Sequence, residues 1–208
     1  MQTEGLPAFV RRAFLVVVRF FFSCENYYIY EKTLNDANEL QFTPKIPNCT
    51  LKIVSTPEEV DELIAEGFHI NAYLDISGTK ARISRKAILF CAFVGKELAY
   101  KSWIAFSEEA KRDVDMLPYT VDFETEACLG DDETVPKYRR LGIHTYVTIK
   151  RYQFVNERGL KSKLTVRRDN IAAQKTQSRV GSRIYAEGRY LKLLGWKSWK
   201  EKPIGGSN

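Results

Sequence analysis

The sequence has few of the side chains that build metal centres and disulfide frameworks. Histidine occurs twice in 208 residues, and the four cysteines are far apart and form no C-x-x-C pair. We therefore expect no bound metal and no disulfide scaffold, and a reducing compartment, the cytoplasm, is the simpler environment. Repeats and low-complexity linkers are also lacking, which favours one sizeable domain.

A long uninterrupted apolar run is missing too. The most apolar stretch, residues 6–23, is broken by arginines, including Arg19, whereas a membrane span needs about 20 apolar residues. We predict an N-terminal apolar helix over residues 1–25. Three roles stay open for it: packing against the core or a partner, lying on a membrane surface, or serving as a signal or anchor, although no A-x-A-like cleavage site follows. Residues 7–23 are the candidate contact with a peripheral membrane or another subunit.

Charge is divided unevenly along the chain. From Lys137 to the end there are 18 basic and 4 acidic residues, a net charge of +14, whereas the preceding part has 14 basic and 22 acidic residues, a net charge of −8. The basic part therefore favours an anionic partner. Coenzyme A, nucleic acid and anionic lipid all satisfy this on charge alone, but no nucleic-acid motif accompanies the charge, so we expect no nucleic-acid partner.

The basic part begins with a strand, a turn and a helix over residues 134–144, TVPKYRRLGIH. Pro136 ends the strand because it cannot donate a ladder hydrogen bond. Gly142 precedes a helical pattern that we expect to end near Gly159. The first amides of such a helix have no partner within the helix and lie at its positive dipole end. The arrangement is typical of a phosphate or pyrophosphate site.

The remaining elements follow from local signals. Thr56 and Glu59 form a capping box with Pro57 at the first helical position, and Gly95-Lys96 separates two apolar runs of a hairpin. We expect strands over residues 26–32, 51–54, 86–106, 119–135 and 163–166, a bulge at residues 130–132, a helix from Asn170 to Gly181, and one or two strands over residues 183–199 with a turn at Gly188.

The central turn resembles the V-x-P-x-Y-R-x-x-G-I segment of the GNAT acyltransferases, whose Q/R-x-x-G-x-G/A turn wraps the pyrophosphate of coenzyme A. Val135, Pro136, Tyr138, Arg139, Gly142 and Ile143 match it, and His144 stands where the family usually has Gly or Ala. The resemblance implies acetyl-CoA, or another acyl-CoA, as the cofactor. The residues it implies for binding are Val135, Arg139, Arg140, Leu141, Gly142, Ile143, His144, Asn170 and Ala173.

A second segment, VRRDNIAA at residues 166–173, resembles the family's V-x-x-x-N-x-x-A pattern. Asn170 lies eleven residues before Gly181, which is the family spacing. The resemblance covers about residues 86–199. It implies an α+β, three-layer fold with a mixed, mostly antiparallel sheet, a splayed parallel strand pair and helices on both faces. We expect one acyltransferase domain over residues 26–202, followed by a frayed tail over 203–208.

Catalytic groups are less clearly marked. An amine that attacks a thioester needs a general base, and Asp131 and Glu133 lie nearest the expected thioester within the acidic run Glu124, Glu126, Asp131, Asp132 and Glu133. A solvated acidic edge is the alternative for this run. The family's proton donor is often a tyrosine seven residues after the Asn, but that position is Gln177 here. Tyr185 is a downstream candidate to replace it, with aromatic packing as the alternative.

Three functions stay open. The first is transfer of an acyl group, most simply acetyl, from a coenzyme A thioester to an amine acceptor of unknown class. The second is a catalytically degenerate fold of the same type that binds coenzyme A or another anion. The third is a basic module that binds nucleic acid or a membrane surface.

Overall fold

The fold is built on one eight-stranded sheet. The computed structural model describes residues 22–33, 42–70 and 72–204. Its strands are β1 (Phe22–Lys32), β2 (Cys49–Val54), β3 (Ala87–Val94), β4 (Glu97–Ala105), β5 (Glu126–Thr134), β6 (Lys161–Arg167), β7 (Arg183–Leu193) and β8 (Trp196–Pro203). Their order in the sheet is β2-β3-β4-β5-β6-β1-β7-β8, and within the described residues every pair of neighbouring strands is antiparallel except β5 and β6.

Helices cover both faces of the sheet. The described helices are α1 (Pro57–Ala65), α2 (Ile76–Ser84), α3 (Glu108–Val114), α4 (Ile143–Asn156) and α5 (Ile171–Arg179). The first three pack on one face, where Val60, Ile83 and Val114 join one hydrophobic core. Apolar residues of α4, among them Val147, and Val180 just after α5 join a second core on the other face. None of the described helices is both long and apolar enough to cross a membrane.

The parallel pair β5–β6 opens along its length. Pairing joins Glu126 to Lys161 and continues only to Cys128 and Lys163, although β5 runs on to Thr134 and β6 to Arg167. Beyond that point β5 keeps its pairing with β4, and β6 keeps its pairing with β1. Two strand edges in the middle of the sheet therefore face each other without a ladder between them. This confirms the predicted fold class with its splayed parallel pair.

Several predicted details are wrong. Residues 22–25 of the predicted N-terminal helix are extended, because β1 begins at Phe22, and the rest of that helix lies outside the described residues. The turn near the C-terminus is at Leu194 and Gly195 rather than Gly188, which sits inside β7. The frayed tail predicted over residues 203–208 is wrong at its first residue, because β8 extends to Pro203, and residues 205–208 lie outside the described part.

Candidate functional site

The N-terminus of α4 lies at the mouth of the gap between β5 and β6. Gly142 is its N-cap residue, and having no side chain it cannot cap the helix. The first internal bond of the helix runs from the Tyr146 amide to the Gly142 carbonyl, 3.0 Å away. None of the described residues accepts a hydrogen bond from the amides of Ile143, His144 or Thr145. These three donors are available to an anion at the positive end of the helix dipole.

Glycine is required at position 142 for two reasons. Its φ of +82° lies in the left-handed region, which other residues rarely adopt. A Cβ at this position would also lie 2.7 Å from Cε1 of Phe42. The segment that carries Phe42 is held against the turn because the Lys45 amide donates to the Leu141 carbonyl, 2.8 Å away. The residues around Phe42 and Lys45 therefore form one wall of the site.

A cleft of about 1150 Å³ extends from this helix end into the gap between the strands. Over its whole length the lining carries five cationic side chains and three carboxylates. The cations that line it are Lys45, Arg139, Arg140, Arg167 and Arg179. Since phosphates are bound by backbone amides together with Arg and Lys side chains, this end of the cleft fits a phosphate-bearing ligand.

Deeper in the cleft a polar cluster joins β4, β5, α4 and α5. Arg151 is fully buried and binds both oxygens of the Asp132 carboxylate, with Nη1 2.8 Å from Oδ1 and Nη2 2.9 Å from Oδ2. His144 Nε2 lies 3.7 Å from Asp132 Oδ2, and its Nδ1 lies 3.4 Å from Thr176 Oγ1. The Tyr100 ring lies beside the imidazole, with 5.7 Å between ring centroids. All of these residues except Arg151 line the cleft.

The charges in this cluster set the protonation of its members. Burial alone would raise the pKa of Asp132, but the Arg151 guanidinium and the hydrogen bonds to the carboxylate outweigh burial and hold this pKa below its ordinary value. Burial, together with the Asp132 charge, raises the pKa of Tyr100 well above its ordinary value. Asp132 is therefore ionised and Tyr100 neutral near pH 7.

Gln177, which stands where a proton-donating tyrosine is usual in the resembling family, is buried beneath the cleft. Its Oε1 accepts from the Tyr152 hydroxyl at 2.5 Å and from the Ser182 hydroxyl at 2.9 Å. Burial raises the pKa of Tyr152 above its ordinary value, and this tyrosine is not among the residues that line the cleft. The hydrogen bonds among Tyr152, Gln177 and Ser182 connect α4 to the end of α5, and they place no proton donor in the cleft.

The three predicted catalytic residues have different surroundings. Asp131 lines the cleft but is paired with Arg82 at 2.5 Å, and Glu133 lines it but is paired with Lys101 at 3.3 Å. Tyr185 does not line the cleft. Its ring packs against the core on the α1–α3 face, where Lys163 Nζ lies 4.9 Å from the ring centroid. Tyr185 therefore lies apart from the cleft, and its position gives the predicted catalytic role no support.

Comparison with known proteins adds structural relatives. No protein-family model and no curated protein sequence matches the chain. Among solved structures, a tandem GNAT protein from the clavulanic acid biosynthesis pathway superposes with a TM-score of 0.54 at 16% identity, covering 100% of this chain and 61% of its own. A GNAT-family acetyltransferase from Colwellia psychrerythraea gives 0.53 at 18% identity, covering 83% and 57%. A GCN5-related N-acetyltransferase from Sphaerobacter thermophilus gives 0.52 at 13% identity, covering 95% and 58%.

The chain has a GNAT fold. Each of the three superpositions covers 83% or more of this chain, so the likeness is one of the overall fold. The identities of 13–18% establish the GNAT fold and not the activity, and the chain spans about 60% of the length of each of the three proteins. The resemblance inferred from the two sequence motifs is thus confirmed at the level of the fold.

Seven of the nine residues predicted to bind the cofactor line the GNAT cleft: Arg139, Arg140, Gly142, Ile143, His144, Asn170 and Ala173. Asn170 is the N-cap of α5, and its side chain accepts from the Ala173 amide at 3.1 Å. Val135 and Leu141 do not line the cleft. Val135 is buried with its amide bonded to the Ala99 carbonyl, and Leu141 packs in the core of the α4 face.

Sequence reasoning missed Tyr100, Arg151, Phe42 and Lys45, and it named Asp132 only as one member of an acidic run. Tyr100 and Arg151 are ordinary strand and helix residues by local pattern, and nothing near them in sequence links one to the other. The signal available for Arg151 was a charged residue within the apolar face of a predicted helix, which in a buried position needs a carboxylate partner. Phe42 and Lys45 belong to a loop that folds back over the turn, and this long-range contact has no local signature.

The buried cysteines of this fold are unsuited to carry an acyl group. Cys91 and Cys128 are fully buried, and burial raises the pKa of both thiols to about 12. The thiolate is the nucleophilic form. Neither cysteine lines the cleft, so a covalent route through them has no support here.

Proposed function

We propose that this chain is an acyl-CoA-dependent N-acyltransferase, most simply an N-acetyltransferase that moves an acetyl group from acetyl-CoA to an amine acceptor. The observation that carries the proposal is the meeting of three unpaired amides at the start of α4 with the mouth of a split between two parallel strands. An anion held at the amides leaves the remainder of an extended ligand free to enter the split.

The residues present fit coenzyme A. Its pyrophosphate would lie at the amides of Ile143, His144 and Thr145, with Arg139 and Arg140 beside it. Its pantetheine arm would follow the unpaired edges of β5 and β6, where backbone groups can bond an extended ligand as they bond an added strand. When bound, the thioester supplies an activated acyl carbonyl. The four cysteines are free thiols, which fits a reducing compartment, and we place the activity in the cytoplasm.

Titration calorimetry of coenzyme A against charge-reversal variants tests the site. Gly142 is a poor position to alter, because any side chain there meets Phe42. The pair Arg139→Glu and Arg140→Glu keeps the backbone and should weaken coenzyme A binding by about 100-fold or more, since charged hydrogen bonds contribute about 1.5–3 kcal/mol each. Arg112→Glu is the matched control, because Arg112 is 75% exposed on α3 and lies outside the cleft. Equal affinity in both variants would remove the proposed cofactor site.

The second candidate is a protein that binds coenzyme A without transferring its acyl group. Gln177 favours this candidate, because it accepts hydrogen bonds within a buried group and cannot protonate a departing thiolate. Thiol release from acetyl-CoA in the presence of a panel of small amines separates the two. Tight coenzyme A binding with no amine-dependent thiol release would favour the binding protein.

A further inference from the structure

One wall of the cleft brings together a histidine, a carboxylate and an unpaired hydroxyl. His144, Asp132 and Tyr100 come from α4, β5 and β4, and all three line the cleft. The Tyr100 hydroxyl is buried and has no hydrogen-bond partner among the described residues. A buried polar atom without a partner is costly, so a polar ligand atom belongs close to this wall.

Three carboxylates line this part of the cleft, and each of them forms an ion pair with a cationic side chain. Asp132 is held by Arg151 through both of its oxygens. Asp131 is paired with Arg82, and Glu133 with Lys101. A proton delivered to any of them would neutralise one partner of an existing ion pair, which its cation opposes. Each of the three carboxylates therefore already has a cationic partner that opposes its taking a proton from a substrate.

The imidazole of His144 is the other proton acceptor of this wall, and the residues around it orient the ring. The Asp132 carboxylate is ionised and can only accept hydrogen bonds, so its Oδ2, 3.7 Å from His144 Nε2, favours the tautomer with the proton on Nε2. The Thr176 hydroxyl donates to the Ala172 carbonyl at 3.3 Å and therefore not to His144 Nδ1, which lies 3.4 Å from its oxygen. This leaves Nδ1 as the basic nitrogen of a side chain that is 28% exposed. Imidazole is the side chain best matched to proton transfer near neutral pH. Asp132 stabilises its protonated form, while Arg151 keeps Asp132 fixed and ionised.

We propose that His144 is the general base of the transfer reaction and that Asp132 positions it and stabilises its charged form. This rests on the proposed function. A neutral amine attacks the thioester carbonyl carbon, a C–N bond forms and the C–S bond breaks. The proton lost by the amine nitrogen passes to His144 Nδ1, and the imidazolium so formed gives a proton to the departing sulfur. The products are an amide and the free thiol, with no net change in protons.

The proposal has a direct spectroscopic test because the chain has two histidines. Imidazole nitrogen chemical shifts report which ring nitrogen carries the proton in a neutral ring, and His69→Gln assigns the signals, since His69 is exposed and lies outside the cleft. In wild type the His144 proton should lie on Nε2. Arg151→Met combined with Asp132→Asn removes the carboxylate without leaving an uncompensated buried charge, and it should weaken that preference while the His69 signals stay unchanged. A His144 proton on Nδ1 in wild type, or an unchanged preference in the double variant, would overturn the role of Asp132.

Turnover measured as thiol release from acetyl-CoA with an amine panel completes the test. His144→Gln should lower kcat/KM by about 100-fold or more, the range of general base catalysis, and abolish the acidic limb of the pH profile, with coenzyme A affinity within about threefold of wild type. His69→Gln should leave both unchanged. Loss of less than about tenfold in His144→Gln, with the acidic limb retained, would overturn the inference while the proposed transferase stands. If wild type binds no coenzyme A, or binds it without amine-dependent thiol release, the proposed function fails, and the base assignment with it.

Discussion

At the scale of single residues, Arg151 is the most informative position on the α4 face. It is fully buried, and the Asp132 carboxylate provides its compensating charge. Removing one partner of a buried ion pair leaves an uncompensated charge and costs about 3–5 kcal/mol. We expect Arg151→Met to lose about that much of the free energy of unfolding in urea at pH 7, and Arg151→Met combined with Asp132→Asn to lose clearly less.

The loss of stability in Arg151→Met should also depend on pH, in a direction that the pKa of Asp132 sets. In wild type the lowered pKa of Asp132 means that its contribution to stability is present above the unfolded pKa and is lost as the pH falls through the folded pKa. In Arg151→Met the buried carboxylate favours its protonated form instead. The deficit of this variant should therefore shrink between pH 7 and pH 5. A deficit independent of pH would mean that Arg151 acts by packing alone.

The directions of the side chains of residues 131–133 could not be predicted from the sequence. Leu129 faces the α4 core, so strict alternation would point Asp131 and Glu133 to that face too. The predicted bulge is present, with Asp131 at a φ of +48° and a register shift opposite Lys101 and Trp103. It turns Asp132 toward Arg151 instead. The bulge was predictable from Gly130, but its effect on side-chain direction was not.

At the scale of elements, α1 shows how local chemistry fixes a helix end. The Glu59 carboxylate accepts from the Ser55 amide at 2.6 Å and the Thr56 amide at 3.2 Å, and the Thr56 hydroxyl accepts from the Glu59 amide. Thr56→Ala should cost about 1 kcal/mol of the free energy of unfolding. The hydrogen bond from the Ser55 amide lowers the pKa of Glu59, so its contribution is present above the unfolded pKa and is lost as the pH falls through the folded pKa.

The control for this prediction lies in the same helical turn. Glu58 is exposed and makes no capping hydrogen bond among the described residues. Glu59→Gln should flatten the acid side of the stability curve, whereas Glu58→Gln should leave its shape unchanged in urea denaturation at a series of pH values. Identical curves for the two variants would show that the carboxylate acts through the general field of the helix dipole.

The strand β7 carries a second element-scale prediction. A Cβ on Gly188 would lie 2.0 Å from Cη2 of Trp199, whose ring covers the strand from β8. Gly188→Val should therefore cost about 1–3 kcal/mol by overpacking, and Trp199→Leu should recover part of that loss in the double variant. The exposed neighbour Arg189→Val on the opposite face is the control. Additive effects of Gly188→Val and Trp199→Leu in thermal unfolding would contradict the contact.

The same position explains why the turn was misplaced. Glycine is a common turn residue, but at 188 it is present because an indole ring needs the space. The helices α2 and α3 were missed for another reason. They are nine and seven residues long, too short for a periodic apolar face to stand out, and both are stabilised by packing on the sheet. The capping box, the hairpin and the helix after Gly142 were predicted correctly because each has its own local signal.

At the scale of the whole molecule, the cleft exists because a continuous sheet loses its hydrogen bonds in its interior rather than at its edge. β5 stays fixed by β4 and β6 stays fixed by β1, so both walls are rigid while the edges between them remain unpaired. Two separate cores, one on each face, keep the walls in place. Two motifs could reveal this arrangement from the sequence, because each marks a strand end followed by a helix start. The far wall contributed by Phe42 and Lys45 could not be inferred in this way.

Amide hydrogen exchange measured with and without coenzyme A tests whether the start of α4 and the unpaired edges of β5 and β6 bind the ligand together. A ligand at 100 times its Kd stabilises the folded state by about 2.7 kcal/mol, and amides that bond the ligand should exchange about 10-fold or more slowly. We expect protection at Ile143–Thr145 and along β5 and β6 beyond Cys128 and Lys163, where the ladder stops. The edge strands β2 and β8 should change little, since both lie at the ends of the sheet. Protection confined to β8 would instead assign the ligand to the basic outer edge of the sheet, and the amides at the start of α4 would then have no part in binding.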